Sequence, residues 1–293
     1  MPGSGEIRLL RRRIKSVKST QKITRAMEMI AASRIMKAQR RVNEARPYAE
    51  QLTTIIKGLA ASNEAQAHPL LSTNDVDRVA VVVLTSDRGL AGAYNANALK
   101  KAERVFADEE SQGNTCDLYQ VGKKGLGYFS FRGRRAVRSW QGMSDQPTYT
   151  DAQDVADVVM TAFAGEQYAR VWLVYTDFRS SMTQVPTAMK LLPIEVEEFE
   201  GGESMPPEFL YEPGPDEILS LLIPRYVEAK VFAAMLESSA SEHASRQRAM
   251  KSATDNAADV IDNLSREMNA ARQAQVTTEI SEIVGGAEAL KAG

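Results

Sequence analysis

The sequence predicts an α/β protein in which two long terminal helices pair as an antiparallel coiled coil around a middle domain. Residues 1–62 and 216–291 both carry apolar residues at the three-and-four spacing of a coiled-coil helix. Residues 78–210 alternate short β-branched runs with helix-like segments, which is typical of a mostly parallel sheet. At 1.5 Å per residue the two helices would span roughly 90 and 115 Å, so we expect both to project from the smaller middle domain.

The N-terminal segment keeps one heptad register from Ile7 to Leu59. Thirteen of the sixteen positions in this register are apolar, which favours a coiled coil over an ordinary globular helix. The three polar members are consecutive in the register and are Gln21, Thr24 and Glu28.

Two irregularities are expected in this first helix. Across the polar stretch the apolar stripe moves to Ile23, Met27 and Ile30, so we expect the helix to turn a different face to its partner there. Pro47 removes one backbone N–H donor, and its ring crowds the preceding turn. We therefore expect a bend or a short break at Arg46-Pro47.

The C-terminal segment repeats the pattern from Leu222 onward. Pro213-Gly214-Pro215 stops the preceding chain, and only Pro224 interrupts the pattern before Gly285-Gly286. Near the end the apolar stripe shifts by one residue and continues as Val276, Ile280, Ile283, Ala287 and Leu290. Because this helix is the longer one, we expect it to extend past its partner and to contact something else there.

The middle segment reads as a Rossmann-like α/β domain. Continuous apolar, β-branched runs predict strands that are buried on both faces. The predicted strands are 79–85, 117–121, 171–175 and 189–194, and the predicted helices are 95–108 and one that opens at Thr150-Asp151-Ala152-Gln153. Strand–helix alternation of this kind implies a mostly parallel sheet.

The residues that usually carry chemistry are scarce. The single cysteine, Cys116, excludes an internal disulfide, and His68 and His243 are too few and too distant for a zinc site. Ser86 to Gly92 follows the first strand, where α/β sheets bind phosphate, but its glycines fit a tight turn better than a dinucleotide fingerprint. Gly122 to Gly127 fits no phosphate loop. We expect no catalytic residue, cofactor or metal, and we expect no membrane-spanning stretch or secretory signal.

The near-neutral net charge of −2 hides a basic N-terminal segment. Residues 1–46 contain thirteen Lys and Arg residues but three acidic residues. Such a block can be the solvated flank of a coiled coil, or it can face nucleic acid, anionic lipid or an acidic protein surface. Nucleic acid is disfavoured because no aromatic residues are interleaved with the cations.

Several stretches resemble one family, the gamma subunit of bacterial F-type ATP synthase. In the first helix the stretch is Arg13 to Ala31, RIKSVKSTQKITRAMEMIA, and in the middle domain it is Ser86 to Leu90, SDRGL, followed by Gly92 to Asn95, GAYN. Near the C-terminus it includes Ala249 to Ala257, AMKSATDNA, and the last helix contains RQA, T, EISEI and GGA within Arg272 to Ala287. The likeness extends from end to end and is greatest to actinobacterial versions.

The resemblance implies a rotating central stalk subunit that couples proton flow through the membrane sector to ATP synthesis in the alpha/beta hexamer. It implies one copy per complex and no catalytic site of its own. Its partners would be the alpha, beta, epsilon and c-ring subunits, with no nucleic acid and no direct membrane insertion. The chain would lie at the cytoplasmic face of the plasma membrane as a peripheral subunit.

The resemblance also implies contact residues. The hexamer contacts would be Arg8, Arg11, Lys15, Lys18, Lys22, Arg25, Met27, Arg246, Gln273, Thr277, Glu279 and Ala287, and the contacts with the c-ring and epsilon would be Tyr211 and Glu212. Ala91 stands where the family often has cysteine, and with Cys116 alone the regulatory dithiol of chloroplast relatives is excluded. The alternative is an α/β binding or regulatory domain on a coiled-coil dimerisation stalk.

Overall fold

A computed structural model describes residues 3–60, 68–194 and 215–291. The helices are α1 (Gly3–Ala60), α2 (Tyr94–Ser111), α3 (Lys123–Phe131), α4 (Tyr149–Ala164) and α5 (Pro215–Lys291). The strands are β1 (Arg78–Leu84), β2 (Thr115–Val121), β3 (Ala136–Trp140), β4 (Arg170–Phe178) and β5 (Gln184–Leu192). This order confirms the predicted α/β architecture between two long helices.

The five strands form one sheet in the order β3-β2-β1-β4-β5. The four neighbours from β3 to β4 are parallel, and only β5 runs antiparallel, to β4. The central strand β1 is buried on both faces, as its continuous apolar run predicts. Val81 packs into a core with Phe129 of α3, whereas the next residue, Val82, packs into a second core with Val155 of α4 and Ile223 of α5.

Two elements of the domain were not expected from the sequence, and one helix begins earlier than expected. Strand β3 is a short edge strand with arginine and serine in its middle, so it lacks the apolar run that marks a buried strand. Helix α3 contains Gly125 and Gly127, which lower helix propensity. The capping box of α4 is formed by Thr148 and Asp151, two residues before the predicted Thr150.

The expected break at Arg46-Pro47 is wrong, because α1 is one continuous helix through Pro47. Helix α5 likewise continues through Pro224 and through Gly285-Gly286. Proline removes one backbone hydrogen bond of the helix. Apolar side chains that are buried in the turns after the proline can nevertheless keep the chain helical. Leu52 and Ile56 are buried after Pro47.

The chain divides into two compact units, one of Met1–Ile30 with Gln247–Gly293 and one of Ala31–Arg246. In the first unit the contact surface between α1 and α5, which we call the seam, includes the polar register positions of α1 at Gln21 and Thr24. The hydroxyl groups of Thr24 and Thr254 lie 2.7 Å apart, and Thr24 is buried. The predicted shift of the stripe is therefore wrong: Ile23 is 58% exposed and Ile30 is 54% exposed.

This contact also fixes how far α5 extends past α1 within the first unit. Leu10 and Ile14 precede Thr24 in α1, and Ile261 follows Thr254 in α5. All three side chains are buried, as expected for two helices that run antiparallel through this contact. Counting outward at equal rise places Gly3 opposite about residue 275. The side chains of α5 are exposed from residue 276 to residue 287, as expected for a helix end that α1 does not reach.

In the second unit a partly buried joint ties both long helices to the loop after β3. Arg34 of α1 forms an ion pair with the carboxylate of Asp145. From α5, the Ser239 hydroxyl donates to the Asp145 carbonyl at 2.9 Å, and His243 Nε2 lies 3.2 Å from the same oxygen. One loop residue therefore meets both helices, and His243 is almost fully buried between them.

We expect Gly122→Ala to destabilise this unit by about 2–4 kcal/mol. Gly122 has a φ of 96°, and a Cβ there would collide with the backbone carbonyl of Thr85. Urea unfolding of the full chain measures the change. Gly127→Ala is the matched control, since a Cβ at Gly127 of α3 meets nothing within 4 Å and should leave stability unchanged or raise it. Equal midpoints for the two variants would contradict the argument.

We expect His243 to make stability fall on mild acidification. Burial lowers the pKa of His243 below 6.5, against the raising effect of Asp145. As the pH falls below about 6.5, the imidazole takes up a proton in the unfolded chain but not yet in the folded chain. The free energy of unfolding therefore decreases until the pH reaches the lower pKa of the folded state. Urea midpoints between about pH 7.5 and 5.5 should fall less in His243→Gln than in the natural chain, because the variant lacks this group.

His68→Gln is the control for losing an imidazole outside the joint. Burial also lowers the pKa of His68, so this variant removes a separate contribution and should keep the part that His243 makes. If the urea midpoint of His243→Gln falls with pH as much as that of the natural chain, the folded joint does not disfavour the protonated imidazole.

Candidate functional site

The turn after β1, from Ser86 to Gly92, is built by hydrogen bonds within the domain. Asn95 of α2 accepts from the backbone N–H of Ser86 at 2.9 Å, and the Ser86 hydroxyl donates to the Arg88 carbonyl at 2.6 Å. Leu90 has a φ of 61° and its side chain is exposed at this turn. The turn is therefore a fixed structure that presents one apolar side chain to solvent.

The carboxylate of Asp87 occupies the backbone donors near the start of α3. It accepts from the N–H groups of Lys123 at 3.1 Å, Gly142 at 2.9 Å and Ser144 at 3.1 Å. The next amide of α3, that of Lys124, donates to the Ser86 carbonyl. Amides at this edge of an α/β sheet are the usual phosphate ligands, but here a side chain of the same protein uses them.

Helix α5 covers the carboxyl end of β4, next to the central strand β1. Ser238 accepts from the backbone N–H of Thr176 at 3.2 Å, and the Ser241 hydroxyl donates to the Thr176 carbonyl at 3.1 Å. Strand order places the change of winding direction between β1 and β4, where open α/β sheets hold their ligands. The helix therefore fills the crevice in which a nucleotide-binding relative of this fold would bind its cofactor.

Arg246, one of the expected contact residues, is buried and forms its contacts within the chain. Its guanidinium forms an ion pair with Glu242 at 2.6 Å and donates to the Gly89 carbonyl at 3.2 Å. Arg246 is 7% exposed and Glu242 is 1% exposed. Burial raises the pKa of Glu242, although the charge of Arg246 opposes this rise. Arg246 thereby holds the turn that presents Leu90.

The six expected basic contacts form one exposed stripe on α1. Their spacing follows the seam register displaced by one residue, so the stripe runs directly beside the seam. Its members are Arg8, Arg11, Lys15, Lys18, Lys22 and Arg25. None of the six forms an ion pair with any residue between 3 and 60, 68 and 194, or 215 and 291. Met27, also expected as a contact, is half-buried.

The remaining expected contacts lie on the end of α5 or beyond the described residues. Gln273, Thr277, Glu279 and Ala287 are all exposed. Tyr211-Glu212 falls outside the residues that the structure describes.

Apolar side chains are exposed on the same end of α5. Val276, Ile280, Ile283 and Val284 are exposed, Ile283 by 71%, and Gly285 and Gly286 follow them. We call this set the apolar end of α5. It shares Val276, Ile280 and Ile283 with the shifted stripe expected from the sequence and adds Val284.

Two classes of site find no support within the described ranges. No group of three or more His, Cys, Asp or Glu side chains there could hold a metal ion. The helices of those ranges also contain no stretch that is long and apolar enough to cross a membrane. For the lone Cys116, burial raises the pKa of the thiol to about 11, so its reactive thiolate is rare near neutral pH.

Sequence reasoning missed the roles of Asp87 and Asp145. The SDRGL stretch drew attention through its glycine spacing, yet its aspartate makes the decisive contacts. Asp145 lies in an irregular loop without a motif, and only the folded chain brings it to Arg34 and His243. No local sequence signal marks Asp87 for this role, because the helix that it caps is α3, which follows β2 and not β1.

Comparison with known proteins gives one consistent result. A family model described as ATP synthase matches residues 6–290. The ATP synthase gamma chain of Frankia casuarinae is 49% identical over 298 residues, covering 99% of both chains. The gamma chain of Acidothermus cellulolyticus is 48% identical and covers 98% of both, and that of Streptomyces avermitilis is 47% identical over 97% of this chain and 96% of its own.

Solved structures agree with this result. The chain from the central stalk and c-ring of Tetrahymena thermophila mitochondrial ATP synthase matches with a TM-score of 0.62 and 27% identity, over 79% of this chain and 99% of that one. A chain of Euglena gracilis mitochondrial ATP synthase matches in fold, with a TM-score of 0.68 and 19% identity, over 99% of this chain and 96% of that one. With a family model along nearly its whole length and relatives close to half identical, the chain belongs to the ATP synthase gamma chain family.

Proposed function

We propose that this chain is the rotating central stalk of an F-type ATP synthase. It couples proton flow through the membrane sector to ATP synthesis in a hexamer of alpha and beta subunits. The observation that carries the proposal is the end of α5, which extends past α1 with its apolar side chains uncovered. Family membership and the central-stalk identity of the Tetrahymena neighbour support it.

The apolar end of α5 needs a partner that α1 does not supply. Contiguous exposed apolar surface of this kind marks an interaction site. An apolar socket formed by the hexamer would cover Val276, Ile280, Ile283 and Val284. Gly285, Gly286 and Ala287 add little side-chain bulk there, so the helix can turn in its socket without large steric barriers.

The basic stripe on α1 suits contacts that must form and break repeatedly. Exposed charge pairs contribute only ~0–1 kcal/mol each, and salt screens them. Weak pairs with acidic loops of the beta subunits would favour particular orientations without locking the stalk in one of them. Met27, Gln273, Thr277 and Glu279 are proposed to add contacts to the same hexamer, and Arg246 would act indirectly by holding the turn of Leu90.

The absence of threefold symmetry is what lets one chain drive three sites. A single chain presents a different surface to each of three equivalent beta subunits. A binding partner shifts a conformational equilibrium only through differential contacts with its states. The stalk can therefore favour a different state at each catalytic site while carrying no catalytic group itself.

The α/β domain is proposed to lie outside the hexamer, beside the epsilon subunit and the c-ring. The foot at Tyr211-Glu212 would meet the ring. Torque applied to the domain must reach both long helices, and the joint of Asp145 with Arg34 and His243 provides a partly buried connection within the second unit. The chain would then act as a peripheral subunit at the cytoplasmic face of the plasma membrane.

We expect the purified chain to assemble separately purified alpha and beta subunits into a 3:3:1 complex with raised ATP turnover. Ile280→Ser with Ile283→Ser should weaken assembly, because serine removes the apolar surface that the socket covers. The matched control is Val260→Ser, an exposed apolar residue on the part of α5 that α1 accompanies. Mass photometry and ATP hydrolysis give the readouts. A chain that ignores both subunits and dimerises alone would overturn the stalk function.

We expect the salt dependence of coupling to reside in the basic stripe. Replacing Arg8, Arg11, Lys15, Lys18, Lys22 and Arg25 with Gln should lower ATP-driven proton pumping at about 50 mM salt, and should remove most of the loss that the natural complex shows at about 500 mM. Proton uptake into vesicles measures both values.

A charge control separates the stripe from net charge. Gln at Lys251, Arg266 and Arg272 removes three exposed cations from α5 and should leave the salt dependence in place. If the six-residue variant pumps normally and keeps its full salt sensitivity, the stripe does not contact the hexamer through charge.

A further inference from the structure

We propose that the groove between α2 and α3 binds a nucleoside polyphosphate. The groove has a volume of about 570 Å³, which lies within the usual range for small-molecule sites. It is separate from the turn whose donors Asp87 occupies, although Lys124 at its edge lies close to Gly89. The proposal concerns the α/β domain alone and does not depend on the stalk function.

The charges lining the groove favour an anion. Its charged side chains are Lys100 and Glu103 of α2, Lys124 of α3, and Arg132 directly after α3. Glu103 is already paired with Arg132 at 3.5 Å. Lys100 and Lys124 are exposed and form no ion pair with the described part of the chain. Two cations therefore face the groove without an opposing carboxylate of their own.

The start of α2 adds to this positive end. Asn95 lies in the first turn of α2, and Lys124 lies in the first turn of α3. Helix α2 has no acidic residue in its first turn, and the Ala93 side chain before it cannot cap it. The partial positive charge at the start of α2 is therefore not offset by a residue of its own first turn. The start of α3 is already occupied by the Asp87 carboxylate, so α3 contributes only the charge of Lys124. Phosphate groups fit this end of the groove.

The other end of the groove suits a planar ring. Tyr128 lines it, and the Arg132 guanidinium stands 4.9 Å from the centre of the Tyr128 ring. Aromatic and guanidinium planes of this kind stack on nucleobases. From Asn95 to Glu103 the groove follows α2 for about 12 Å, long enough for a base at one end and a phosphate chain at the other. A ring together with phosphate defines a nucleotide more narrowly than phosphate alone.

The test measures binding of ATP to the full chain without alpha or beta subunits, so that no catalytic nucleotide site is present. Equilibrium dialysis at fixed ionic strength should show one saturable site. Lys100→Gln with Lys124→Gln should weaken it by about tenfold or more, because charge-assisted contacts to phosphate are lost. Lys101→Gln with Lys123→Gln is the matched control: it removes the same charge from the same helices outside the groove and should change the affinity less than twofold.

Separate arms distinguish the ring from the phosphates. Tyr128→Phe should keep the affinity for ATP, whereas Tyr128→Leu should weaken it, and pyrophosphate should bind more weakly than ATP. Unfolding midpoints without ligand show whether each variant is folded, and ATP should raise the midpoint only where it binds. The proposal is overturned by no saturable binding, by equal effects of the two lysine pairs, or by pyrophosphate binding as tightly as ATP.

Discussion

The packing of α5 across the carboxyl end of the sheet is the constraint on which the rest of the second unit depends. Its polar face bonds to β4 through Thr176, and its Arg246 holds the turn after β1 through Gly89. The same helix also meets Asp145, which pairs with Arg34 of α1. The same contacts that anchor α5 to the sheet also fill the crevice between β1 and β4, where this fold can bind a ligand. The α/β domain therefore anchors the long helices at the position where related folds bind nucleotides.

Such a buried polar interface is better suited to specify one arrangement than to add stability. Removing the charges of Glu242 and Arg246 from water is costly, and their mutual attraction with added hydrogen bonds offsets much of that cost. An apolar interface would allow the helix to slide by a turn, whereas each bond from Arg246 to Gly89 or from Ser241 to Thr176 has one geometry. A stalk that transmits torque needs this fixed register more than it needs extra stability.

The sequence was most informative where one pattern is repeated and least informative where a contact depends on the fold. The heptad register located both long helices, and the continuous apolar run of β1 predicted a strand buried on both faces. The predicted shift of the apolar stripe was wrong at Thr24, because a polar residue can stay in the seam when Thr254 forms a hydrogen bond to it across the interface. Sequence reasoning also missed β3, whose edge position needs no apolar run. The basic stripe of α1 was expected from the family resemblance, and the apolar end of α5 was expected from its helical spacing. The joint at Asp145 connects distant segments and leaves no periodic signal in the sequence.

In the proposed stalk, the apolar end of α5 and the basic stripe of α1 would divide two requirements. Covering Val276, Ile280, Ile283 and Val284 would contribute on the order of 1 kcal/mol per side chain, since each is already partly covered by its own helix. The apolar attraction has no preferred direction in itself, so a socket that surrounds the helix would retain the stalk without favouring one angle. Charge pairs depend on distance, so the stripe beside the seam makes the energy vary with orientation by small amounts. An apolar attraction that changes little with angle, combined with charge pairs that depend on it, would let a shaft stay in its socket while it turns.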